Sequence, residues 1–370
     1  KNTKNKSKIR DSNLELLRII SMIGIVLIHV LRHGIIIEDD VINANRIVYE
    51  LLSFVGRFGV ACFVLITGYF MIDSKPTFRS LLKLVLECLF YSVTITSICM
   101  ILGITDFSVK KIIVSFFPII FKQYWFVSVY IGLYLLIPYI NKLIHSLNKQ
   151  QHLNIILILF FIISIIPTFT FQPWTTNTEF YQQLSLFVLL YFVASYIKLY
   201  PNKYFNSIKF NVWIAVICQT IIWLSILLIL MFKDKLVIEN PQYFTNNNCF
   251  FVILQSISIF LIFKNMKIKY NPHINAVASS TLAVYLIHES PNYFMTIWKD
   301  LFKINAYYNS STVLFISSII VSIVIVFVIS ILIDKLRVIL LEKRIFKVYD
   351  SNKERFSKLK SSWNLLCEKF

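Results

Sequence analysis

Six ionisable side chains interrupt otherwise apolar stretches of this sequence: Arg18, His29, Arg57, Glu87, His288 and Glu289. Charge is costly in hydrocarbon, so such residues are candidates for function. Arg18 and His29 are the most informative pair. Eleven helical steps return to within about 20° of the starting direction and rise about 16 Å, so both side chains project from one face. His33 continues that face four residues later, and Glu15, three before Arg18, is spaced to pair with it. A guanidinium grips phosphate or carboxylate, and an imidazole moves protons near neutral pH. The stripe therefore reads as an anion grip linked to a buried base. The alternative for His29 is a neutral imidazole hydrogen-bonded between helices.

Arg57, His288 and Glu289 fall near the middle of two other apolar stretches. Arg57 and Glu289 form a plausible buried pair, structural or functional, since either charge alone is expensive. Glu87 sits near one end of its stretch and is expected to snorkel or to pair with Lys83. Lys75, Arg79 and Lys83, together with Arg18, make a candidate basic mouth for phosphates at a helix N-terminus. Ordinary positive-inside charge is the default reading of each. His145, His152 and His273 lack a carboxylate or cysteine to complete a ligand set, so no metal centre is expected. Cys62, Cys88, Cys99, Cys218, Cys249 and Cys367 contain no C-x-x-C pair and suggest no disulfide framework.

The elements that must position these groups are membrane helices. Of 370 residues, 57% are hydrophobic and only 15% charged, where a soluble domain carries about 25% charged residues. A span needs roughly 20 apolar residues, and ten segments approach this. They lie near Leu16–Leu31, Ile47–Met71, Leu81–Gly103, Tyr124–Ile144 and Leu153–Phe169, then Leu184–Leu199, Phe210–Phe232, Cys249–Phe263, Ala278–Trp298 and Thr312–Ile333. The run Ile112–Phe121, broken by Pro118, is too short to span and reads as re-entrant or interfacial. The expected fold is an all-α polytopic membrane helix bundle of about ten transmembrane helices with both termini cytoplasmic. In that orientation 26 Lys and Arg fall on the inner side and 9 on the outer. This distribution accounts for the net charge of +18 without nucleic acid.

The outer loops are mildly acidic at Glu38, Asp39, Asp40, Glu179, Asp234 and Glu239. Residues 1–334 read as the membrane domain. Residues 335–370 read as a basic tail, either an amphipathic helix on the anionic inner leaflet or a partly disordered solvated segment. The basic start lacks a cleavage site, so no cleavable signal peptide is expected. There is no internal repeat. All seven glycines lie in the first 132 residues, which points to close helix contacts, and an active centre, among the first four helices.

These residues carry a resemblance. "NLELLRIISMIGIVLIHV", with Glu15, Arg18 and His29, resembles the opening of the membrane acyltransferase-3 family. "GRFGVACFVLITGYFM", with Arg57, Phe63, Thr67, Gly68 and Tyr69, resembles its second-helix signature, Thr67 standing for the usual Ser. Trp125, Phe126 and Pro138 resemble the fourth-helix pattern, and Tyr285 and His288 a late Tyr-Leu-Ile-His element. The four matches run in family order over most of the chain. A family element of two Arg separated by two residues is not clean here; Arg79 and Lys83 are its nearest equivalents.

The resemblance implies a ten-helix bundle in the cell membrane, of bacterial plasma-membrane type. It implies transfer of an acyl group, usually acetyl, from cytoplasmic acetyl-CoA to a glycan hydroxyl, with no permanently bound cofactor. On that reading His29, Arg18 and Arg57 are catalytic, and Arg18, Arg79, Lys83 and Lys75 hold CoA. Trp125, Tyr69, Tyr285, His288, Glu289 and His33 face the acceptor. The partners implied are acyl-CoA, the glycan acceptor and membrane lipids; the oligomeric state is left open. No appended extracytoplasmic domain is expected, so transfer is completed by the chain alone or with a separate partner. A rival reading is an exporter of polysaccharide or lipid-linked sugar, which also needs intramembrane charges; transporters, however, tend to show repeated halves.

Overall fold

The computed structural model describes residues 11–37, 41–170, 180–232, 235–236, 238, 240–352, 361 and 363. The acidic residues expected in the outer loops, Cys367 and most of the tail beyond Asn352 lie outside the described residues. Among the described residues the chain is helical throughout, without strands. The helices in order are α1 Ser12–Gly34, α2 Ala44–Leu52, α3 Phe58–Met71, α4 Phe78–Ile101, α5 Val109–Phe116, α6 Trp125–Ser146, α7 Lys149–Phe160, α8 Ile166–Phe169, α9 Phe180–Leu199, α10 Ile208–Phe232, α11 Phe250–Asn265, α12 Pro272–Ala278, α13 Thr281–His288, α14 Phe294–Thr296, α15 Ile304–Tyr308, α16 Thr312–Arg337 and α17 Lys343–Ser351.

Among the described residues, eight helical stretches are long and apolar enough to cross a membrane. They include Lys149–Phe169, in which a π-helical turn at Phe161–Ile165 joins α7 to α8 ahead of Pro167. The other two expected spans, the second and the ninth, are broken helices. The second is α2 and α3, interrupted by turns from Ser53 to Arg57. The ninth is α12 to α14, which ends a helix at His288, three residues before Pro291. Proline excludes the helical conformation from the residue before it and has no N–H to donate. Both breaks carry ionisable residues. The run Ile112–Phe121 folds as the end of α5 and the turns that follow it, too short to span, as expected.

Hydrogen bonds between loops sort into two ends of the bundle. At the end expected to be cytoplasmic, Ser12 meets Asn271 and Asn275, Asn13 donates to Phe263 O, His145 meets Ile72 O and Lys335 donates to Ala276 O. At the other end, Asn45 donates to Tyr308 O, Asn305 accepts from Ile36 N, and Gln242 donates to Glu50. This alternation is what ten crossings require when the two broken spans are counted with the eight long helices.

Two glycines hold the first break against α1. A Cβ on Gly56 would stand 1.9 Å from Gly24 O, and one on Gly59 would stand 2.6 Å from Ser21 O. Arg57 lies between them. The close approach of backbones, possible only without side chains, therefore presses Arg57 against the face of α1 that carries the polar stripe.

Glu87 does not snorkel. It is buried and pairs with Arg337 at 3.2 Å, and Arg337 also binds Asp334 at 2.8 Å and Glu342 at 3.0 Å. Lys83 pairs instead with Glu342 at 2.7 Å, and Arg79 with Asp350. The start of the tail thus docks on the bundle. Phe346 packs under the Arg79 guanidinium, and Trp363 donates to Pro76 O at 3.1 Å and stacks on Tyr134.

Gly56→Ala is expected to force α1 and the broken span apart, because the obstacle is backbone. The cost is expected near the upper end of the range for overpacking, about 1–3 kcal/mol, and is read as a lowered thermal midpoint of the purified protein in detergent. An unchanged midpoint would contradict the packing described.

Candidate active site

The site is built by α1 and the end of α13. His33 lies four positions after His29, so both leave α1 on one face. The termination of α13 turns the chain just where His288 and Glu289 can meet them. His288 is fully buried, and its Nδ1 lies 2.5 Å from Val284 O, one turn back. A carbonyl only accepts, so the proton sits on Nδ1 and Nε2 of His288 is left as an acceptor. That Nε2 lies 2.9 Å from His29 Nδ1. His29 therefore donates from Nδ1, and its own Nε2 is the proton-accepting atom of the neutral ring. A fixed hydrogen bond on one ring nitrogen is the usual way a protein assigns the role of the other.

Glu289 does not pair with Arg57. Its Oε2 lies 2.9 Å from His29 Nδ1, and its Oε1 lies 3.5 Å from His33 Nε2. His33 Nε2 and Glu289 Oε2 are both buried without an aligned hydrogen bond. His29, His33 and Glu289 thus bring three donor atoms within 4.8 Å of one another, a set able to hold a metal ion. The i, i+4 spacing of the two histidines was visible in the sequence. The arrival of Glu289, 260 positions after His29, had no local signal.

A cavity of about 490 Å³ runs along this face of α1. It is lined from Arg18 through His29 to His33, a rise of about 22 Å, with Glu289, Trp125 and Tyr285 facing the same space. Arg57 also lines it. Its guanidinium lies 5.8 Å from the centre of the Phe54 ring, its Nε has no partner, and no described carboxylate is paired with it. Arg18 is loosely paired with Glu15 at 4.0 Å and likewise leaves Nε unpartnered.

A family model described as an acyltransferase domain, of the acyltransferase-3 type, matches residues 11–333. The chain belongs to this family. It is a multi-pass membrane acyltransferase. Comparison with curated proteins and with solved structures gives no match.

The remaining expected site residues of this acyltransferase divide by position. His288 stands behind His29 and outside the cavity lining, so it orients the ring rather than facing a ligand. Tyr69 lies away from the cavity, packed on Phe260 beneath Lys198. Lys75, Arg79 and Lys83 are exposed and do not line it either; Arg79 and Lys83 are held by tail carboxylates. Arg32 and Tyr130 do line it and were not singled out from the sequence. Phe63, Thr67 and Phe126, noted only as family-motif residues, line it as well.

Glu289→Gln keeps the shape but removes the charge that faces His29. Turnover is expected to fall by about 10²-fold, the low end of what a positioned base contributes, with the substrate KM changed much less. Full turnover in this variant would mean that the carboxylate plays no part in setting His29.

Proposed function

We propose that this acyltransferase moves an acetyl group from cytoplasmic acetyl-CoA to a hydroxyl of a cell-surface polysaccharide or its lipid-linked precursor. The observation that carries the reading is the single cavity along α1. It joins an under-paired guanidinium near the cytoplasmic end to a base whose proton-accepting atom is already assigned.

In this reading the CoA phosphates stay near the cytoplasmic mouth, where Arg18 faces them, and the pantetheine arm lies along α1. Arg79 and Lys83 join that grip only when Asp350 and Glu342 release them. The acceptor hydroxyl gives its proton to His29 Nε2 as its oxygen bonds to the thioester carbonyl carbon. Arg57, placed by the Gly24–Gly56 contact and paired with no described carboxylate, faces the oxyanion that develops. Collapse breaks the C–S bond, and the thiolate leaves with the proton held by His29. The products are the acetyl ester and CoA thiol. Glu289 steadies the imidazolium between the two proton transfers. The aromatic wall of Trp125, Phe126, Tyr130 and Tyr285 suits the apolar faces of a sugar ring, while its hydroxyls find polar partners.

Membranes carrying His29→Ala or Arg18→Ala, given labelled acetyl-CoA, test this directly. His29→Ala is expected to reduce label in surface glycan by at least about 10²-fold, and Arg18→Ala to raise the KM for acetyl-CoA. Undiminished labelling in both would sink the assignment, and glycan export without any acyl donor would favour the exporter instead.

A further inference from the structure

The imidazole and carboxylate groups of the cavity have a capability that acyl transfer does not use. We propose that His29, His33 and Glu289 bind a divalent cation of the zinc type, and that its occupancy switches the base off. The binding half stands on geometry alone. The switching half rests on the acyl-transfer reading above.

Two observations carry the binding. First, the distances suit the ion. Tetrahedral zinc bonded at about 2.0–2.1 Å sets its donors about 3.3 Å apart. Here one donor atom from each of His29, His33 and Glu289 lies within 4.8 Å of the others, with His29 Nδ1 2.9 Å from Glu289 Oε2 and His33 Nε2 3.5 Å from Glu289 Oε1. Closing the widest separation the set allows to the tetrahedral spacing takes a shift of about 1 Å or less on each side. Second, His33 Nε2 and Glu289 Oε2 are buried and lack aligned hydrogen bonds, so two donors are already free of competing partners. A set of imidazoles with one carboxylate selects zinc, copper or nickel over magnesium or calcium.

The switch follows from the tautomer. A cation on His29 takes the Nδ1 lone pair, so the proton on Nδ1 must move to Nε2. The ring stays neutral, but the atom that accepts the hydroxyl proton is now occupied. Glu289 is drawn to the ion at the same time and no longer faces an imidazolium.

The test uses the full chain, purified through a tag without histidine, stripped with chelator and titrated with Co²⁺ as a visible probe. One Co²⁺ per chain with the strong visible bands of a tetrahedral site is expected, displaced by one equivalent of Zn²⁺. His33→Gln, which keeps size and polarity, and Glu289→Gln are each expected to weaken binding at least tenfold, with gel-filtration profiles confirming that both variants fold. In the acetyl-transfer assay, Zn²⁺ is expected to inhibit at least tenfold and chelator to restore the rate. The half-inhibitory concentration is expected to rise at least tenfold in His33→Gln relative to that variant's own metal-free rate. No tetrahedral Co²⁺ spectrum, or binding unchanged in both variants, overturns the site. Binding without inhibition, or with activation, overturns the switch. If the metal-free protein transfers no acetyl, the acyl-transfer reading fails while the cobalt titration still decides the site.

Discussion

A carboxylate held away from bulk water needs donors or cations around it, and Glu289 meets that need with imidazoles rather than with an arginine. Its oxygens face His29 and His33, and this choice shapes the rest of the centre. The helix that bears it must stop at His288, so that the carboxylate turns toward α1. His288 must be buried and tied to Val284 O, so that it receives the His29 proton. Arg57, deprived of Glu289 as a partner, is left facing the cavity with its charge uncompensated by any described carboxylate.

The protein thus treats its internal arginines in two ways. Arg337 is saturated by Glu87, Asp334 and Glu342, which makes it a structural tie between α4, α16 and the tail. Arg18 and Arg57 line the cavity and keep unpartnered nitrogens. An anionic ligand, or an anion that develops during reaction, has more to gain from the second kind than from the first. Glu342, one of the acids that close the Arg337 network, also occupies Lys83, and Asp350 occupies Arg79, so the tail and the cytoplasmic mouth are electrostatically joined.

Much of this was legible in the sequence where the signal was local. The ten apolar segments, the shared face of Arg18, His29 and His33, and the crowding of glycine into the early helices all follow from periodicity and composition. Gly24 and Gly56 meet as that crowding suggests. What escaped was pairing across long separations. Nothing near Glu87 announces Arg337, and nothing near Arg57 denies it Glu289. The breaks in the second and ninth spans were also unread, because hydropathy averages over a turn, although Gly56 and Pro291 mark both places. Tyr69 and Lys198 show the converse: a motif position can be filled while the side chain packs elsewhere.

The central claim is that one cavity along α1 brings the acyl donor to His29. An experimental structure of the protein with CoA bound tests it most directly. The pantetheine arm is expected along α1, the phosphates at Arg18, and the sulfur within roughly 3–4 Å of where a carbonyl facing His29 Nε2 would react. CoA bound on another face of the bundle, with this cavity empty, would contradict it.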